Sequence, residues 1–408
     1  MTLRPPITLR LILSTLGLAA FAACSVSQEK IPDHKLFADE DDALTAQGQV
    51  TFAVVGNLRA PLPLLDKGEG LVWHDGVTEA IQAELQRRAD AKSLKFVVLT
   101  GDEVRYSADK EWKAWDTDWR DVFDGETLPT REGYRLPVIP VVGDHEYIGD
   151  RKLKGVEGAF PGVGVDIGFN RVASWYHFDM RVGDSIWRFV ILDSNKQKLG
   201  SRWNEQLYWI PRAAEGRYDH VVTFMHHPVV SLAPAAGRNE DGAPLELIEA
   251  LEENLKLLRL RAVFSGDAHT SEVLLPEGRL GSAHISAGGG GGGAEALERW
   301  GNGSDVNMGD IQLEPIFDVK LQMAFDAQAQ AQAFPETVLD KAKARGTWEG
   351  FTATYDPAYF PLYGFWTVTI TGADLYAEFV AWQPDGSFEE IYRIDYVDGD
   401  GWIAGKSG

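Results

Sequence analysis

The sequence predicts an α/β fold, a sheet with helices outside it, on two observations. Apolar runs of strand length recur from Val50 onward, and segments of helical period lie between them. The runs TFAVVG, KFVVLTG, PVIPVVG, IWRFVILDS, HVVTFMHH and RAVFSG are rich in β-branched and aromatic residues. Continuous apolar character of this kind marks strands buried on both faces.

The intervening segments GVTEAIQAELQRRAD, DKEWKAWDTDWRDVF, NEQLYWIPRAA and LELIEALEENLKLLRL carry helical periodicity. Trp112, Trp115 and Trp119 fall on one stripe of the second, which reads as core packing rather than a stack for substrate. Beyond Ala287 the pattern changes. Gly288 to Gly293 form a glycine run whose usual reading is a flexible linker. After a polar stretch containing DAQAQAQAF, the runs YGFWTVTI, LYAEFVAWQ and FEEIYRIDYV are joined by TGAD and PDGS turns and predict an antiparallel meander.

The first residues are set apart from the fold. Arg4 and Arg10 precede a short apolar stretch from Leu11 to Ala23, too short to span a bilayer and shaped like a secretory signal, residues 1–23. The end of that stretch, FAAC, puts the only cysteine, Cys24, after two alanines, as in a bacterial lipobox with Phe21 in place of the usual Leu. A lipid anchor at Cys24 is the expectation, with ordinary cleavage after small residues as the alternative. Residues 24–49 read as a tether, and a periplasmic or external location follows. One cysteine excludes an intramolecular disulfide.

Lys and Arg number 39 against 61 Asp and Glu, a net charge of −22. That balance argues against nucleic acid or an anionic membrane surface as a partner. It does not argue against an anionic small molecule, since one local cation can dominate a site.

Chemistry concentrates in polar loops that each follow an apolar run: GNLR (Asn57, Arg59), GDEV (Asp102), GDHE (Asp144, His145), MHHP (His226, His227) and SGDAH (Asp267, His269). A Gly-Asp turn or a single His says little alone. Five such loops at the carboxyl ends of strands can converge on one point, where α/β sheets build their sites. Asp and His are the ligands a hard or borderline divalent cation takes.

In order and spacing these loops resemble the motifs of the calcineurin-like metallophosphoesterases, a group that includes the purple acid phosphatases. Those motifs are GDxH, GDxx, GNH[DE], a later His and GHxH. The ILDSN and NEQLYWI stretches and the glycine run add to the resemblance, which covers residues 50–293 and 361–396. It implies a four-layer α/β/β/α fold, a β-sandwich flanked by helices. Residues 294–360 stand apart as an insertion of unknown role.

The resemblance also implies two adjacent metal positions bridged by Asp102. The first takes Asn57 and Arg59 where the family has Asp and His, together with His269. The second takes Asp144 in place of Asn, His226, and Asp267 in place of His. His145 matches the His that protonates the leaving group, and Glu146 the acidic position after it. Tyr106 falls one residue beyond the tyrosine ligand of the purple enzymes, so a coloured iron site is not expected. His177, His220 and His284 read as structural groups.

Asn57 is a weaker ligand than a carboxylate, and a guanidinium stays protonated and cannot ligate. Over the four changed positions the family's Asp, His, Asn, His carries −1 with neutral imidazoles. Here Asn57, Arg59, Asp144 and Asp267 carry 0 + 1 − 1 − 1 = −1. The preserved total points to a rebuilt site: one divalent cation, manganese, magnesium or calcium, on Asp102, Asp144, Asp267 and His226, with Arg59 gripping phosphate. The competing reading is an internal ion pair of Arg59 with Asp267 that replaces both metals. The expected activity is hydrolysis of a phosphomonoester or phosphodiester; the alternative is a non-catalytic relative that binds a phosphorylated ligand or an envelope partner.

Overall fold

The structure, a computed structural model, describes residues 48–60, 71–72, 76–119, 122, 136–160, 174–229, 231, 243–255, 259–276, 281–292, 294–295, 355–360, 363–383 and 385–405. The signal segment, Cys24 and nearly all of the tether lie outside these residues, as does residue 296 to residue 354.

Along the chain come β1 (Gln49–Val55), β2 (Leu71–Val72), α1 (Val77–Asp90), β3 (Val97–Leu99), α2 (Asp109–Trp119) and β4 (Val138–Pro140). A 3₁₀ turn (His145–Tyr147), α3 (Lys154–Ala159), β5 (Tyr176–Val182), β6 (Ser185–Ile191), α4 (Lys196–Leu199) and α5 (Arg202–Ala213) follow. Then come β7 (His220–Met225), α6 (Ala243–Asn254), β8 (Leu260–Ser265), β9 (Ser271–Pro276), β10 (Ala283–Ala287) and β11 (Ala294–Glu295). The chain closes with β12 (Tyr355–Phe360), β13 (Gly364–Thr371), β14 (Asp374–Trp382), β15 (Phe388–Val397) and β16 (Gly401–Gly405).

Two seven-stranded mixed sheets result, ordered β16-β15-β14-β13-β1-β3-β4 and β12-β9-β10-β8-β7-β6-β5. In the first, β1, β3 and β4 are parallel and β13 to β16 form the expected meander with one strand more. In the second, β6, β7, β8 and β10 are parallel. The sheets face each other across an aromatic core. Phe52 on β1 stacks on Phe96 at 4.6 Å, and Phe96 meets Phe189 of β6 edge-on at 5.8 Å. Phe178, Phe189, Phe224 and Phe264 continue the row along the second sheet. All six rings are buried, each worth about 1.5–3 kcal/mol of burial. On the outside, Arg88 of α1 lies over Phe365 of the first sheet, and Arg188 of β6 donates to the carbonyl of Ala213 at the end of α5. The order is helix, sheet, sheet, helix.

Three expectations change. The segment read as one helix to Leu260 stops at Asn254, and β8 begins at Leu260, where the chain pairs with β7 in the second sheet. The glycine run is no flexible linker as far as it is described. Gly290 donates to the Gly56 carbonyl at 3.0 Å and Gly292 to the Asn57 carbonyl at 2.6 Å, so the run lies alongside the GNLR loop. A Cβ at Gly290 or Gly292 would overlap those same carbonyls, so only glycine permits the approach. Finally, residues 355–360 at the end of the expected insertion form β12, paired with β9 at the edge of the second sheet.

Candidate metal centre

The five polar loops gather at one end of the sandwich, three from the first sheet after β1, β3 and β4, two from the second after β7 and β8. Backbone hydrogen bonds lock them together. Asn57 donates to the Gly101 carbonyl at 3.0 Å, Arg59 to the Asp102 carbonyl at 2.9 Å, and Gly266 to the His226 carbonyl at 2.8 Å. Asn57, Asp102, Asp267 and His269 adopt left-handed φ of 57°, 61°, 42° and 48°, which costs a non-glycine residue about 1–2 kcal/mol. Among the described residues only Lys92 and Leu153 share that conformation outside glycine. Strain concentrated at one point is what a constrained site shows.

His226 sits at the centre, fully buried. Its Nδ1–H donates to the Thr100 carbonyl at 2.8 Å, which turns Nε2 toward the loops. Nε2 lies 3.4 Å from Asp102 Oδ1, 3.7 Å from Asp144 Oδ1 and 3.8 Å from Asp267 Oδ1, and has no hydrogen-bond partner. Burial pulls the His226 pKa down, but the three carboxylates outweigh it and hold the imidazolium well above the ordinary range. Burial pushes Asp144 up, and its contact with His226 and the neighbouring histidines drive it well below the carboxylate range instead. A buried nitrogen without a hydrogen-bond partner, facing three convergent carboxylates, fits a divalent cation: one imidazole and three hard oxygens. The ligating atoms of Asp144, His226, His227 and Asp267 all lie within 4.8 Å of one another, as do those of Asp102, Asp144 and His145.

The first position does not fit a cation. Arg59 Nε stands 3.7 Å from Asp102 Oδ2, both side chains 2% exposed, so a fixed positive charge already faces the bridging carboxylate. Asn57 donates from Nδ2 to the Gly288 carbonyl at 3.2 Å. His269 is buried but joins neither group of ligating atoms among the described residues. His145 donates its Nδ1–H to the Arg105 carbonyl at 2.6 Å and holds Nε2 3.7 Å from Asp102 Oδ2.

Behind these residues Glu146 is 1% exposed and accepts backbone N–H groups from Asp102, Glu103, Val104 and Gly143 at 2.8–3.3 Å. It ties the Asp102 loop to the Asp144 loop. Burial and then Glu146 raise Glu103 well above its usual range, and burial with the Asp102 charge raises Glu146 too.

His227 does more than flank the site. Its Nδ1 meets Ser194 Oγ at 2.8 Å, and burial holds its pKa down to about 3, which keeps a neutral imidazole beside the cluster. Ser194, in the ILDSN stretch, and Thr100 are the positioning residues that the motif pattern did not single out. His220 stacks on Trp187 at 4.4 Å and accepts from Arg261, and burial lowers its pKa to about 4. His284 is held down to about 3 by burial alone. Tyr106 lies under Lys110, 5.0 Å from its ring centroid.

Among solved structures, PhoD superposes with a TM-score of 0.50 at 12% identity, over 88% of this chain and 72% of its own. The fold is that of the calcineurin-like metallophosphoesterases. A purple acid phosphatase from yellow lupin (Lupinus luteus) seeds scores 0.47 at 16% identity, over 84% of this chain and 53% of its own, so this chain spans about half of it. An anchor in the inner membrane complex of Plasmodium scores 0.48 at 15% identity, over 88% of this chain and 90% of its own. No family model and no curated protein matches. Within that fold, the five polar loops singled out by the sequence gather at one end of the two sheets.

Proposed function

We propose that this chain is a phosphoesterase that hydrolyses a phosphomonoester or phosphodiester with a single divalent cation, manganese, magnesium or calcium. The observation that carries the reading is the convergence of Asp102, Asp144 and Asp267 on His226 Nε2 within 3.8 Å. Those four residues would hold the cation, which when bound polarises a phosphoryl oxygen and lowers the pKa of water. Arg59 offers a planar fork of N–H donors matched to phosphate oxygens, beside the carboxylate that fixes it. Water adds to phosphorus, the P–O ester bond breaks, and His145 gives its Nε2 proton to the departing oxygen. Secretion, with a lipid on Cys24 holding the enzyme at the periplasmic or outer face of a membrane, completes the reading and rests on the N-terminal sequence.

Hydrolysis of p-nitrophenyl phosphate by the purified protein with Mn²⁺, lost on chelation and restored by Mn²⁺, is the expected result. No turnover with any of the three ions would overturn the reading. The changed first position favours one alternative, a relative that binds a phosphorylated ligand without turning it over. Thermal stabilisation by phosphate without hydrolysis, abolished in Arg59→Ala, would mark it.

A further inference from the structure

Two histidines follow one another at the end of β7, where the motifs that the loops resemble call for one. Successive residues of a strand point to opposite faces. β7 ends at Met225, however, and the chain bends at His226 and His227. Both rings are buried, with centroids 4.9 Å apart and planes at 77°. Each offers a nitrogen to one group of ligating atoms with Asp144 and Asp267, all within 4.8 Å of one another. Among the described residues, His220 and His284 are buried as well, yet join no such group.

The two rings are also held alike. A metal-binding imidazole is oriented by an oxygen that takes the N–H of its other nitrogen. For His226 that oxygen is the Thr100 carbonyl, 2.8 Å from Nδ1. For His227 it is Ser194 Oγ, also 2.8 Å from Nδ1, which accepts the His227 backbone N–H at 2.9 Å as well. Ser194 is fully buried, and its neighbour Asn195 donates from Nδ2 to the Val142 carbonyl at 3.0 Å, two residues before Asp144. The ILDSN stretch thus holds the His227 ring and the Asp144 loop together.

Resting on the single-cation reading above, we propose that His227 is a fifth ligand of the cation, through Nε2, beside Asp102, Asp144, Asp267 and His226. The second imidazole changes which ion belongs there. Oxygen ligands suit magnesium and calcium, whereas imidazole favours first-row transition ions. A set of three carboxylates and two imidazoles therefore selects a first-row ion, manganese among the three named.

Pulsed electron paramagnetic resonance of the full chain loaded with Mn²⁺ reads bound nitrogens without turnover. Modulation from two imidazoles is expected in the wild type and in His269→Gln, and from one in His227→Gln. One imidazole in the wild type, or two retained in His227→Gln, would overturn the assignment, as would a loss in His269→Gln. By competition dialysis the wild type is expected to prefer Mn²⁺ to Mg²⁺. His227→Gln is expected to lose about 100-fold in Mn²⁺ affinity and less for Mg²⁺. Ser194→Ala, which removes only the anchor of the ring, is expected to lose about tenfold for Mn²⁺. Equal losses for the two ions in His227→Gln would mark a structural role and overturn the ligand. Two imidazoles on the ion with no ester hydrolysed would end the phosphoesterase reading alone. Hydrolysis with one imidazole on the ion would end the ligand assignment alone, and no bound ion would end both.

Discussion

Set beside the family motifs that the loops resemble, the two halves of the site differ in opposite directions. In the first half a carboxylate and an imidazole position hold Asn57 and Arg59, and a guanidinium buried to 2% exposure faces Asp102. In the second half an amide and an imidazole position hold Asp144 and Asp267, both within 3.8 Å of His226 Nε2. Asp102 belongs to both, with one oxygen toward Arg59 and the other toward His226. On the proposed reading, the site preserves charge rather than ligand identity: the Arg59 guanidinium takes the place of one metal, and the added carboxylates strengthen the place of the other.

Breaking the shared residue has the largest expected effect. Asp102→Asn keeps a side chain that tolerates the left-handed backbone while removing the charge both halves use. A loss of about 10³-fold in kcat for p-nitrophenyl phosphate is expected, with circular dichroism unchanged; retained activity would end the assignment. Next, Asn57→Asp/Arg59→His converts the first half back toward ligands, and metal analysis is expected to find a second ion per chain. Third, Glu146→Ala strips the acceptor from four backbone N–H groups and is expected to lower stability by about 3 kcal/mol in chemical denaturation.

The smallest effect is on pH. His220 and His284 are held neutral, with pKa near 4 and near 3 against 6.5 in the unfolded chain. Their contribution is complete above pH 6.5 and lost as pH falls toward 4, because the unfolded chain binds the protons first. Each contributes a slope of at most about 1.4 kcal/mol per pH unit across that window. His226 acts in the opposite sense in the metal-free protein, its contribution present below pH 6.5 and lost as pH rises through its raised value. Denaturation midpoints between pH 5 and 7 with and without Mn²⁺ separate the two, and His220→Gln with His284→Gln should flatten the acid limb.

Much of this was legible in the chain, and what was not has physical reasons. Fully apolar strands such as β7 and β8 announce themselves, as do the loops that end them. β5 shows no continuous apolar run, because His177, Asp179 and Arg181 alternate with its buried positions. β16, GWIAG, carries too few apolar residues to stand out and gains its place only by pairing with β15. The packed glycine run differs from the expected linker because composition does not distinguish a flexible linker from a close backbone approach. Arg59 lies 3.7 Å from Asp102, one loop further along the first sheet, a contact that the motif pattern does not announce.

The central claim is one cation where the family plan has two. Equilibrium dialysis of the chelator-treated protein against Mn²⁺, followed by plasma emission analysis, tests it most directly. One ion per chain is expected in the wild type and none in Asp144→Asn/Asp267→Asn. Two ions in the wild type, or none, would contradict the account.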